Sequence, residues 1–298
     1  MGENTKIEWC DATLNFWIGC EKIAPGCENC YAASMVKRFG QDFSERRLTS
    51  VANRAKAFKW NADHLKFYRE HGHRQRVFVN SMADVFDNDV PQTWRQGLWR
   101  LIRFTPHLDY ILLTKRIGNA KRMLPEDFSA ATYPNVWLGI SACVQNDLDR
   151  DLQKLLRINT ACHFISAEPM AEQLGFPDPD YVTNSWSDIE GYVDWIICGG
   201  ESGPKARPLL EDHARRLRFH CRRHWIKFFF KQGSQTPEWG GRKGFKQFAN
   251  FHRDLQIREH PNTQLSVWYE KAVADGVFDN EDAKLTPDQQ ATLRTLMA

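Results

Sequence analysis

Six short apolar runs rich in β-branched or aromatic residues punctuate this chain: Val77–Asn80, Tyr110–Thr114, Val136–Ile140, His163–Ser166, Trp195–Cys198 and Lys227–Phe230. Their centres lie about 26 to 33 residues apart, the length of one strand, one helix and two loops. Segments with helical periodicity fill the gaps: Gln92–Phe104 with Leu98, Leu101 and Ile102, Asn146–Ile158 with Leu148, Leu152, Leu155 and Leu156, and Glu211–His224. Parallel strands need crossovers and crossovers bury both faces of a sheet, so this alternation predicts a parallel α/β sheet covered by helices. A further strand near Thr13–Ile18 brings the number to seven, which favours a full or partial (β/α) TIM-type barrel over a small open sheet. The 298 residues would suit two domains. The strand spacing instead predicts one barrel over residues 5–232 and a C-terminal extension over 233–298, with terminal helices at Gln264–Ala274 and Pro287–Ala298. Residues 175–191, with Pro177 and Pro179, are expected to be an inserted loop or lid.

Each run ends in polar residues. Asn80-Ser81-Met82-Ala83-Asp84, Thr114-Lys115-Arg116, Ser141, Ser166-Ala167-Glu168-Pro169, Gly199-Gly200-Glu201-Ser202-Gly203 and Lys231-Gln232 follow the six in order. In a βα barrel these ends converge on one face, where such folds place their chemistry. One active-site mouth is therefore expected there. Glycines after a strand let backbone approach a ligand, but the Gly-Gly segment lacks the Gly-Lys-Ser/Thr ending of a P-loop.

With 42% hydrophobic and 26% charged residues, the chain is neither disordered nor a membrane protein. No apolar stretch approaches a membrane span and Met1–Lys6 is polar, so the expectation is a cytoplasmic protein with no membrane partner. The formal charge of +3 hides two basic stretches, Lys37–Arg76 and Lys205–Lys231, offset by an acidic Asp275–Asp288. Arg215, Arg216, Arg218, Arg222 and Arg223 would cover much of one helix, either as a solvated face or as a nucleic-acid footprint.

The eight cysteines divide by context. Cys143, Cys162, Cys198 and Cys221 are scattered and read as core residues. Cys20, Cys27 and Cys30 share a Gly- and Pro-containing loop with C-x6-C-x2-C spacing. Such a cluster binds zinc or iron–sulfur. A closed zinc site wants four ligands, and the candidates for a fourth, Cys10, His64, His71 and His73, have no characteristic spacing. Three cysteines near the start of a barrel suit a four-iron cluster with one iron left open.

Thr5-Lys6-Ile7-Glu8-Trp9-Cys10-Asp11-Ala12-Thr13-Leu14-Asn15, the cysteine loop and Cys30-Tyr31-Ala32 resemble the phage-borne three-cysteine-motif family of radical SAM-like proteins. The likeness continues through Leu113-Thr114-Lys115-Arg116, Gly139-Ile140-Ser141, Ser166-Ala167-Glu168-Pro169, Gly199-Gly200-Glu201-Ser202-Gly203 and Phe229-Phe230-Lys231-Gln232. It covers residues 5–232 and fades after Gly233. The chain departs from the family at Asn15-Phe16, where Asn-Pro is frequent, and at Gly233-Ser234, where Trp-Gly is frequent. The resemblance implies a [4Fe–4S] cluster on Cys20, Cys27 and Cys30 whose open iron binds S-adenosylmethionine. An external one-electron reductant would trigger release of a 5′-deoxyadenosyl radical that abstracts hydrogen. By position it implies Asn29 and Tyr31 beside the cluster and adenine, Asn80, Ser81 and Asp84 at the methionine end, Ser141 at the ribose, and Gly199 and Gly200 in the cofactor site. Lys115, Glu168, Glu201 and Lys231 remain as substrate-facing groups, a salt bridge such as Lys115 with Glu168 being the structural alternative.

The substrate implied is DNA, with the enzyme modifying or isomerising an amino-acid-modified thymine and the basic stretches holding phosphates. A small nucleotide or peptide substrate is the second expectation. A non-catalytic metal-binding interaction module is the third, opposed by the ionisable strand ends.

Overall fold

The structure, a computed structural model, describes residues 5–176, 192–203 and 205–278. Its strands are β1 (Ala12–Leu14), β2 (Trp17–Ile18), β3 (Arg47–Leu48), β4 (Arg76–Val79), β5 (Asp109–Thr114), β6 (Val136–Ser141), β7 (Cys162–Ala167), β8 (Trp195–Gly199) and β9 (Lys227–Gln232). Seven of them form one all-parallel sheet in the order β1-β4-β5-β6-β7-β8-β9. Apart from the β2–β3 pair inserted between β1 and β4, neighbours in space follow one another in the chain, the signature of a singly wound sheet, and it curls into a partial barrel with β1 and β9 at its edges. All six apolar runs are strands of this sheet, within a residue or two at each end.

The expected strand Thr13–Ile18 divides. Ala12–Leu14 joins the sheet, whereas Trp17–Ile18 pairs antiparallel with Arg47–Leu48. The chain turns between them because Asn80 Oδ1 accepts the Phe16 amide at 2.7 Å and Asn15 Oδ1 accepts the Met82 amide at 2.9 Å.

Side chains alternate across a strand, so each strand serves two cores. Val77, Val79, Tyr110, Leu112, Leu138, Ile140, Ile165, Ile196, Phe228 and Phe230 face outward, in one core with Leu98, Leu101 and Ile102, Leu148, Leu152 and Leu155, and Ala214 and Leu217. These come from the helices Gln92–Phe104, Gln145–Leu156 and Glu211–Arg223. The last of these opens on Glu211 and Asp212 and closes on Arg222 and Arg223, complementing its macrodipole. The intervening positions, Phe78, Ile111, Trp137, Phe164, Trp195, Ile197 and Phe229, fill the barrel interior with Trp9 and Cys10 from the N-terminal segment.

The extension beyond Gly233 protects the β9 edge. Phe230 N donates to Ile257 O and Glu259 N to Phe228 O, so a short antiparallel segment satisfies backbone groups of β9. The helix Gln264–Ala274 forms as the sequence predicts. The expected helix Pro287–Ala298 and most of the expected lid, residues 177–191, lie outside the described residues. Among the described residues no helix is long and apolar enough to cross a membrane.

Candidate active site at the strand rim

The inward-facing register continues past the aromatic interior and changes chemistry at the strands' C-terminal ends. Lys115 follows β5, Ser141 ends β6, Glu168 follows β7, and Lys231 lies near the end of β9. Lys115 Nζ donates to Ser141 Oγ at 2.8 Å, joining adjacent strands. Lys231 forms an ion pair with Glu168. These partners are two strands apart, with Gly199 of β8 between them. A Cβ at Gly199 would stand 3.3 Å from Glu168 Cγ, so the missing side chain opens the space in which the pair meets. The structure thus pairs Glu168 with Lys231 rather than with Lys115. The Glu168–Pro169 peptide is cis.

The cysteine loop is tied across this rim. Gly19 N donates to Met82 O at 3.1 Å, after β4, and Arg116, after β5, donates through Nη1 to Cys20 Sγ at 3.3 Å and through Nη2 to Glu21 O. On the far side Asn29 Nδ2 donates to Glu201 Oε2 at 3.0 Å and to Lys205 O, and Arg207 Nη2 donates to Pro25 O at 3.2 Å. Between them Gly26 rests on Cys143, where any Cβ would lie 2.1 Å from the Cys143 sulfur. The loop therefore bridges from β4 to β8, and any side chain at position 26 would displace the Cys143 sulfur.

Cys20, Cys27 and Cys30 are free thiols and half-buried, and Cys30 occupies the position just before the helix Tyr31–Arg38 without a side-chain hydrogen bond to it. Burial pushes the Cys20 thiol up, against the opposing pull of Arg116. Three soft, accessible donors on one loop fit a cluster with an open coordination site in kind and number. Their side chains do not converge: among the described residues no group of three or more His, Cys, Asp or Glu is placed to hold a metal ion. The alternative fourth ligands point elsewhere. Cys10 belongs to the aromatic interior, His73 contacts Asp11 at 3.2 Å, His71 stacks on Phe67 and His64 on His107.

The other expected site residues hold the rim in shape. Asp84 is buried and accepts from Thr114 Oγ1 at 2.7 Å, Lys115 N at 3.0 Å and Phe86 N at 2.9 Å. Its oxygens are thus committed to positioning the Thr114–Arg116 segment. Asn80 has φ 53°, a left-handed conformation that asparagine tolerates better than most residues, and its Oδ1 is the acceptor for Phe16 described above. Ser81 Oγ contacts the Asn15 side chain, and Ser81 O accepts from Tyr31 Oη at 2.5 Å. Burial of that hydroxyl pushes the Tyr31 pKa up although much of the ring is exposed. Gly200 N donates to Gln232 O, and a Cβ there would lie 2.4 Å from Ser234 N, so this glycine serves close packing of the chain on itself. Glu201 is buried and receives Arg207 at Nη2 (2.8 Å), Nε (3.1 Å) and N (2.8 Å). Burial alone would raise its pKa; the Arg207 and Asn29 hydrogen bonds outweigh it and hold the carboxyl below its ordinary value.

Sequence reasoning missed the residues that fasten the loop: Asn15, Arg116 and Arg207 as anchors and Cys143 as the seat beneath Gly26. Arg116 and Asn15 lie within motifs that give them no individual role; Arg207 and Cys143 carry no local signal. The basic helix Glu211–Arg223 is also more nearly neutral than its composition suggests. Arg215 pairs with Glu211 and Asp254, Arg216 with Asp212, and Arg218 approaches Asp254.

Fold and site together define an α/β partial barrel with a three-thiol loop laid over the C-terminal ends of its strands. The chain belongs to the family described as protein of unknown function (DUF5131), whose model matches residues 4–279 and so runs well past Gly233. No curated protein matches it. Among solved structures it is similar to spore photoproduct lyase complexed with dinucleoside spore photoproduct, at 11% identity over 74% of this chain and 63% of that chain, with TM-score 0.43. It is also similar to a mutant of spore photoproduct lyase with bound AdoMet and dinucleoside spore photoproduct, at 13% identity over 57% of this chain and 48% of that chain, with TM-score 0.39. The chain spans less than two thirds of the length of either structure.

Proposed function

We propose that this chain is a radical S-adenosylmethionine enzyme acting on a nucleotide-class substrate, the substrate implied by its motifs being an amino-acid-modified thymine in DNA. The observation that carries the reading is the placement of three accessible thiols on one loop fastened across a rim lined by Lys115, Ser141, Glu168 and Lys231. Cys20, Cys27 and Cys30 would hold a [4Fe–4S] cluster. With S-adenosylmethionine and an external one-electron reductant, that cluster would supply the chemistry of a 5′-deoxyadenosyl radical for hydrogen abstraction.

The chain's own residues position and exclude. Arg116 orients Cys20, while Asn29, Glu201 and Arg207 fix the other end of the loop. Lys115 and Ser141 offer a cation and a hydroxyl on one wall. The Lys231–Glu168 pair on the other matches the ammonium and carboxylate of an amino-acid group. Beneath them the packed aromatic interior keeps water from the site's floor. Asp84, Asn80 and Ser81 act by shaping the rim.

A free nucleotide or a peptide is the second reading, and one observation favours it over duplex DNA: the ion pairs that neutralise much of the helix expected to bind phosphates. Anaerobic reconstitution tests the proposal. The expected result is about four iron and four sulfide per chain together with reductant-dependent cleavage of S-adenosylmethionine; stoichiometric zinc without cleavage overturns it. Nucleoside mass spectrometry of DNA from cells with and without the protein then separates a DNA-borne from a free substrate.

A further inference from the structure

Beside the mouth lies a cleft of about 320 Å³ that none of the roles above uses. Its walls come from the segment after β5, with Lys115, Arg116 and Gly118, and from the helix Gln145–Leu156, with Arg150, Asp151 and Lys154. Four cations face one carboxylate. Asp151 is itself bracketed, by Arg150 Nη2 at 2.5 Å and Lys154 Nζ at 3.2 Å. The carboxylates behind this wall, Asp84 and Asp87 against Arg116 and Asp147 against Arg150, are almost fully buried, whereas the Arg150 and Lys154 side chains are 41% and 43% exposed. The exposed groups a ligand meets are therefore the Arg150 and Lys154 cations, with their paired carboxylates lying beneath them.

Two members of the wall also belong to the rim. Lys115 reaches Ser141, and Arg116 reaches Cys20. A group seated in the cleft is thus one side chain away from the barrel mouth. The volume falls at the lower end of the range of small-ligand sites. The floor is open, since a Cβ at Gly118 would meet no atom within 4 Å.

We propose that this cleft is a phosphate-binding subsite that seats the phosphate of a nucleotide while its base and sugar reach the mouth. The proposal rests on the nucleotide reading above and deepens it. Guanidinium and ammonium groups converging in a concavity suit the multiple acceptor oxygens of a phosphate, and they do so whether the phosphate belongs to a free nucleotide or to a strand.

The test is calorimetric titration of the full chain, purified without a cluster, with thymidine 5′-monophosphate, thymidine and a short single-stranded thymidine oligonucleotide. Thymidine monophosphate is expected to bind about tenfold or more tighter than thymidine, the difference made by one charge-assisted contact. Arg150→Gln and Lys154→Gln, both on exposed side chains, are each expected to reduce that advantage, and Gly118→Leu to remove it by filling the cleft. Circular dichroism checks that each variant folds. Tighter, more salt-sensitive binding of the oligonucleotide would identify a strand as the source of the phosphate, and equal or weaker binding a free nucleotide. Equal affinity for thymidine and its monophosphate, no binding of either, or an advantage untouched by all three variants overturns the subsite. Because these titrations need no cluster, their failure leaves the test by S-adenosylmethionine cleavage intact, and failure of cleavage leaves phosphate binding to be judged independently.

Discussion

The lower and upper halves of the barrel interior are built from the same strands in the same register, yet they behave as different materials. Below, Trp195 sits within ring contact of Trp9, Trp137, Phe164, Phe229 and His260, with centroids 5.3 to 6.2 Å apart. Above, the same inward positions carry Lys115, Ser141, Glu168 and Lys231, each held by one polar partner. The contrast teaches that stability and chemistry are separated along the barrel axis. The floor is a packed hydrocarbon solid that rejects change, while the rim is a set of polar contacts that can exchange partners with a ligand.

The largest effect that tests this division is expected at the floor. Trp195→Ala should cost about 3–5 kcal/mol of unfolding free energy, by lost transfer energy and an unfilled cavity. Denaturant unfolding measures it, and a loss below about 1 kcal/mol, no more than a typical single substitution, would show that the aromatic interior is not the stabilising core.

Acid should separate the two halves next. His260 lies against Trp195 and Phe229, and burial, helped by the positive charge of Arg76, lowers its pKa from 6.5 to about 3. As pH falls below 6.5 the unfolded chain takes up this proton first, so stability that is complete above 6.5 is lost progressively toward the folded value. His107, lowered to about 4 mainly by burial, adds to the same slope. Glu201 at the rim has the opposite chemistry in the same direction of pH. Its folded pKa lies below the ordinary 4.5, so its contribution is present above 4.5 and lost only as pH falls through the lower folded value. The unfolding midpoint should therefore begin to decline between pH 6.5 and 4.5, before the rim pair responds. A flat profile down to pH 4.5 contradicts the placement of the histidines.

A smaller stability effect is expected from Glu201→Gln, which removes the charge that receives Arg207. Loss of charge-assisted hydrogen bonds should cost about 1–3 kcal/mol and loosen the cysteine loop, read as faster hydrogen exchange across residues 19–30. Unchanged exchange would mean that Arg207 does not fasten the loop. The smallest is Cys27→Ser on a half-buried thiol, expected within about 0.5 kcal/mol of the parent while iron incorporation falls sharply. A change of several kcal/mol would place Cys27 in the fold rather than in the site.

Most of the sheet was legible because a buried parallel strand must be a short apolar run and its crossover must take a helix's length of chain. Gln92–Phe104 and Gln264–Ala274 were legible to their ends because their apolar spacing is helical throughout and their flanking residues interrupt it. The Thr13–Ile18 segment reads in sequence as one strand but divides between two sheets. Its apolar character persists through a turn that is made by side chains of Asn15 and Asn80, which are distant in sequence. At the rim, the identity of the polar residues was legible and their pairing was not. Lys115 lies beside Ser141 because β5 and β6 are adjacent, and Lys231 reaches Glu168 because Gly199 leaves a gap in the strand between them.

Alternation, spacing and the composition of the strand ends were enough to determine a parallel α/β barrel with one polar mouth and a loop of three thiols, because these are properties of local chain geometry. Only the tertiary structure decided that the barrel is partial, that its β9 edge is covered by Ile257–Glu259, and that Arg116, Arg207 and Cys143 seat the loop. Those outcomes depend on which distant segments meet, and no local pattern records contacts such as Arg116 with Cys20 or Arg207 with Pro25, which lie 96 and 182 positions apart.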